Sequence, residues 1–182
     1  MQKKGFTLLE VLIVVVILAS VVLFAVPSYK KAQVRAQYDA ALGTLTQLGE
    51  GLRLLYENSG LTWLDDPIML SNNWFTQTNV SAAADVQDLS TLNLGQATDR
   101  LTFLASLVAR GYMARPKNLE NGPFVFYVCN QEGDPDFCCD AGDEIACMFI
   151  REDDCNDMNE AYSWVRYFKD GHYQRRTDRN CN

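Results

Sequence analysis

The feature that most constrains this chain lies at its start. From Phe6 to Val26 there are 21 residues, of which only Thr7, Glu10 and Ser20 are polar. An unbroken helix of that length spans about 31 Å, the thickness of a bilayer's hydrocarbon core. Lys3 and Lys4 precede the run and orient such a segment with its N-terminus on the cytoplasmic side. A removable secretory signal is cut after its apolar run, behind small residues; here the small residue suited to processing, Gly5, comes before it. Glu10 is the anomaly. An ionised carboxylate at the centre of a membrane helix costs on the order of 2.5–3.5 kcal/mol, less near an end, so such acids are usually paired and functional. Cutting after Gly5 frees the amine of Phe6, a cation that compensates the carboxylate most usefully on a neighbouring copy.

The string Lys3-Lys4-Gly5-Phe6-Thr7-Leu8-Leu9-Glu10, then the apolar run, Pro27, Tyr29 and Arg35-Ala36-Gln37, resembles the N-terminus of type IV pilins and of the related pseudopilins of type II secretion. The resemblance covers about Lys3 to Gln37. It implies that a prepilin peptidase cuts after Gly5 and methylates the new Phe6 amine. It implies storage in inner-membrane lipid as a single-pass protein, then extraction by a pilus assembly platform. The product is a homo-oligomeric helical filament outside the cell, in which Glu10 neutralises the Phe6 amine of an adjacent subunit. The fold implied is α+β, a long N-terminal α-helix packed on a small antiparallel β-sheet head. One departure stands out: many members carry a helix-breaking glycine in mid-run, where this chain has Ala19-Ser20. Pro27 lacks an N–H and clashes with the carbonyl of Leu23, so a kink or local melting is expected just before it in the filament.

The chain therefore divides into a leader (1–5), a transmembrane or filament-core helix (6–27), an amphipathic helix (28–58) and a head (59–182). Val34, Tyr38, Ala41, Leu45, Leu48, Leu52 and Leu55 recur at steps of three and four, the stripe of a helix with one buried face. Asn58-Ser59-Gly60 ends it. Gly43, Gly49 and Gly51 weaken a free helix and mark sites of close backbone approach. Residues 61–100 read as a structured loop docked on the head, with a short helix around 82–89; a second helix is expected at about 99–110. Phe124–Gln131 and Glu144–Arg151 read as strands, followed by 163–169, a turn at Asp170-Gly171 and a short strand over 172–177.

All six cysteines, Cys129, Cys138, Cys139, Cys147, Cys155 and Cys181, fall in the last third. Clustering in an exported head favours disulfides over zinc, since no Cys-x-x-Cys pair occurs and His172 is not spaced as a finger ligand. An antiparallel hairpin centred near Cys138 sets Cys129 opposite Cys147. The resemblance suggests a second bridge, Cys155 with Cys181, like the C-terminal disulfide loop of many pilins. Cys138 and Cys139 are then a vicinal bond, a free pair, or members of a different map.

The net charge is −7, and −9 once Met1–Gly5 and its two lysines are removed, a balance that argues against general nucleic-acid affinity. The run Arg166, Lys169, Arg175, Arg176 and Arg179 with Tyr167, Phe168 and Tyr173 has the composition of a DNA-contacting surface, although a solvated strand face paired with acids of another subunit outweighs it. Asp134, Asp136, Asp140, Asp143 and Glu144 resemble a cation loop in composition only and fail EF-hand spacing. No Gly-rich phosphate loop, H-E-x-x-H motif or nucleophile context occurs, so no cofactor, metal or enzymatic activity is expected. The expected role is a structural type IV pilus subunit. The alternatives are a pseudopilin or minor pilin and, from another class, a membrane-anchored extracytoplasmic binding or enzyme domain.

Overall fold

The computed structural model describes residues 8–60, 64, 67–117, 119, 122–129, 139, 143–150 and 164–176, without the side chains of 22–28, 31, 164 and 176. The chain forms two compact units, Met1–Gln37 and Tyr38–Asn182. One helix, α1 (Leu8–Ser59), runs through the boundary. It stops where expected. Gly60 adopts φ 64°, and its N–H reaches back to the carbonyl of Tyr56 at 3.2 Å, the left-handed stop that glycine makes without a Cβ clash.

In the second unit the stripe of α1 forms one wall of the core: Tyr38, Ala41, Leu45, Leu48, Leu52 and Leu55 are all buried. Each large side chain so buried contributes roughly 1.5–3 kcal/mol. The other wall is a five-stranded antiparallel sheet in sequential order: β1 (Ile68–Met69), β2 (Phe124–Val128), β3 (Glu144–Ile150), β4 (Trp164–Phe168) and β5 (Tyr173–Arg176). Phe124, Phe126, Val128, Ala146 and Met148 share the helix-facing side through the β2–β3 register, and the Tyr38 ring meets Phe124 edge-on with centroids 6.0 Å apart.

The segment after α1 is structured, as expected, with more regular backbone than its pattern promised. It holds β1, a 3-10 turn at Asn72–Phe75, α2 (Gln77–Asp85), a second 3-10 turn at Leu89–Thr91 and α3 (Ala97–Ala109). Side-chain oxygens of Ser71, Thr76 and Asp88 cap its short helices, which is why this polar stretch forms them. Leu64, Leu70, Phe75 and Leu89 anchor it in the core.

Glycines report how closely the layers approach. A Cβ on Gly49 would lie 2.1 Å from Cδ1 of Tyr167, and one on Gly51 would lie 3.2 Å from Leu107, whereas nothing stands within 4 Å of Gly43. Gly49 thus lets α1 sit directly on the Tyr167 ring of β4.

One finding differs from expectation. Cys129 is bonded to Cys139 and not to Cys147. The hairpin register is displaced by two residues: Tyr127 faces Cys147, and Cys129 donates its N–H to Ile145. Cys129 and Cys147 keep the same face but stand diagonally, and Cys139 takes the nearer position. Cys147 is itself disulfide-bonded, to a partner outside the described residues; the expected Cys155–Cys181 bridge and Cys138 also lie outside them.

The central strands β2 and β3 are, in addition, buried on both faces. Every residue of β2 is buried, and Val125, Tyr127, Cys129, Cys139 and Cys147 form a cluster on the side away from α1, with Phe149 packed against it. Strands covered on both sides lose the apolar–polar alternation that marks a half-exposed sheet.

Candidate functional site

The residues carrying the N-terminal motif lie in the first unit. Gly5 and Phe6 fall outside the described residues. Glu10 occupies the first described turn of α1, where the helix dipole favours a carboxylate, and it is not without a partner within the chain. The apolar side chains around it are open: Leu8 is 83% exposed, and even the most covered of the large apolar residues to Val21, Ile13, is 48% exposed. So large a continuous apolar surface is not tolerated in water and calls for lipid or protein against it.

Ser20, the other polar residue in mid-run, donates its hydroxyl to the carbonyl of Ile17 at 2.7 Å. Closing that bond on its own helix removes the need for water and makes the residue compatible with an apolar surround. The helix continues through Pro27. Among the described residues no helix is long and apolar enough to cross a membrane. The fully described apolar stretch runs only from Leu8 to Val21, and the remainder of the Phe6–Val26 run lies outside it.

Residues 1–26 match the family model of the prokaryotic N-terminal methylation motif. The chain carries the type IV pilin and pseudopilin signature. No curated protein and no solved structure matches the chain.

Beyond this pilin-type segment, the head sorts the remaining candidates. In the acidic cluster, Glu144 is committed to a buried ion pair with Arg166 at 2.8 Å, both side chains 4% exposed. A bulge between Glu144 and Ala146 shifts the β3–β4 register so that Glu144 stands opposite Phe168, on Arg166's side of the sheet. Without the bulge, alternation would carry Glu144 to the helix side. Glu144 is therefore taken from any cation loop; Asp134, Asp136 and Asp140 lie outside the described residues.

The basic–aromatic run is divided by strand alternation. Arg166 and Tyr167 are buried, and Phe168 stacks on His172. Arg175 pairs with Val165 in the β4–β5 register, which places it on the face opposite Arg166, where its guanidinium lies 5.1 Å from the Tyr38 ring centroid. Arg179 lies outside the described residues. The described members do not form the single surface that stacking on nucleic acid needs.

A polar link that no sequence motif announced joins α1 to β4. The Tyr167 hydroxyl donates to Glu50 Oε1 at 2.5 Å, and Arg53 binds Glu50 Oε2 at 2.9 Å. The Tyr167 hydrogen bond, then Arg53, holds the Glu50 carboxyl below its ordinary range despite partial burial. Burial, then Glu50, pushes the Tyr167 phenol up. The pair fixes the helix to the sheet beside the point where Gly49 admits the ring.

Proposed function

We propose that this chain is a structural subunit of a type IV pilus, cut after Gly5, methylated on Phe6 and polymerised through α1. The observation that carries the reading is the methylation motif at residues 1–26, continued by an exposed apolar helix with one carboxylate, Glu10. The uncovered face from Leu8 to Val21 is accommodated first by inner-membrane lipid and then by the same helices of other copies. Glu10 sets the register, because a carboxylate surrounded by hydrocarbon is stable only where a cation meets it. The Phe6 amine of the adjacent subunit is that cation. Prepilin peptidase and the pilus assembly platform are the partners this route requires, and the route carries the subunit from the inner membrane into an extracellular filament.

A disulfide-bonded head suits an oxidising location outside the cytoplasm. On assembly, α1 loosens just before Pro27, where a hydrogen bond is already missing. The test is Glu10→Ala. The variant precursor should insert in the membrane normally, while cells make few or no filaments by electron microscopy. Wild-type filament numbers in that variant would refute the proposal.

A further inference from the structure

The sulfurs of Cys129, Cys139 and Cys147 all lie within 4.8 Å of one another, and each of the three residues is 0% exposed. Cys129 and Cys139 are bonded, Cys147 belongs to a second disulfide, and the sulfurs of Cys139 and Cys147 are 3.6 Å apart. Two disulfides thus touch through one sulfur from each. We propose that this contact is an exchange point that keeps the segment at Cys139 tethered to the sheet when either disulfide is opened.

The chemistry runs to one product from both directions. If a dithiol reductant opens the Cys147 disulfide, the Cys147 thiol loses its proton and the thiolate attacks the Cys139 sulfur. The Cys139–Cys147 bond forms, the Cys129–Cys139 bond breaks, and Cys129 leaves as a thiolate that takes up a proton. If the reductant opens Cys129–Cys139 first, the Cys139 thiolate attacks the Cys147 sulfur and expels that residue's former partner. Each route consumes two electrons overall, and each leaves Cys139–Cys147 bonded with Cys129 and the former partner of Cys147 reduced. Contact between the sulfurs makes the internal step effectively unimolecular once either disulfide has been opened. Cys129 extends from β2 and Cys147 lies in β3, and these strands are paired, so the tether changes strand without leaving the sheet.

The experiment is a limited reduction of the full oxidised chain in detergent with dithiothreitol, followed by an acid quench, alkylation and peptide mapping by mass spectrometry. The species that has gained two electrons should carry a Cys139–Cys147 cross-link and an alkylated Cys129, and that cross-link should be absent before reduction. Finding instead Cys129–Cys139 intact with Cys147 alkylated, or Cys129 and Cys139 both alkylated with the Cys147 disulfide intact, would overturn the proposal.

Discussion

Substituting Gly49 by Ala tests the packing of helix on sheet. The new Cβ would lie 2.1 Å from Cδ1 of Tyr167 and 2.5 Å from Cγ and Cε1, against about 3.5–4.0 Å for relaxed carbon contacts. The ring must therefore retreat by about 1.5 Å. It is 1% exposed and tied to Glu50, so a retreat disturbs its packing and strains that bond. Overpacking of this kind costs about 1–3 kcal/mol. Weakening the bond to Glu50 adds a fraction of the ~1.5–3 kcal/mol of a charged hydrogen bond, discounted because the Glu50 side chain is 41% exposed. Replacing a helical glycine by alanine returns ~1 kcal/mol. The net loss is about 2 kcal/mol, a fall in Tm of roughly 4–8 °C for a domain of this size. Gly43→Ala is the matched control: it meets nothing within 4 Å and should raise Tm by roughly 2–4 °C through propensity alone. Thermal unfolding of the full chain in detergent, followed by near-ultraviolet circular dichroism, reads both. A Gly49→Ala protein as stable as the Gly43→Ala one would refute the close approach of α1 to β4.

Glu144→Gln strips the buried Arg166 of its counter-charge and should cost about 3–5 kcal/mol in denaturant unfolding, while the double variant Glu144→Leu with Arg166→Met should recover most of that loss. The folded carboxyl of Glu50 is held below its ordinary value of 4.5. Its contribution is therefore present above that value and disappears as pH falls through the depressed one; Tyr167→Phe should flatten this acid limb of the stability–pH curve. In filament reconstructions the wild-type helix should be interrupted just before Pro27, and a Pro27→Ala filament should show it continuous; an unbroken wild-type helix over 21–27 would contradict the assigned role of the proline.

How much of this was legible in the sequence depends on how each feature is encoded. Tyr38, Ala41, Leu45, Leu48, Leu52 and Leu55 announce a buried helix face because their spacing repeats through five turns, and they are buried. Glu10 stands out because a charge among hydrocarbon residues has few structural uses. Strand identities were readable from β-branched and aromatic density, but register was not. The β2–β3 pairing stands two residues away from that of a hairpin centred at Cys138, and a one-residue bulge brought Glu144 to Arg166. Neither leaves a mark in composition. β1 is two residues long, too short for any period to show, and the covered outer face of the sheet hides behind the unbroken apolar string Phe124–Val128. The Tyr167–Glu50 link joins residues 117 positions apart and becomes visible only when the helix lies on the sheet; Gly49, immediately before Glu50, was the one local hint.

The proposal that α1 is an assembly helix is tested most directly by the N-terminal residue of the protein recovered from sheared surface filaments. Mass spectrometry should find a chain that begins at Phe6 and carries one methyl group on its α-amine. Filament protein that still begins at Met1, or that begins at an unmodified residue elsewhere, would contradict it.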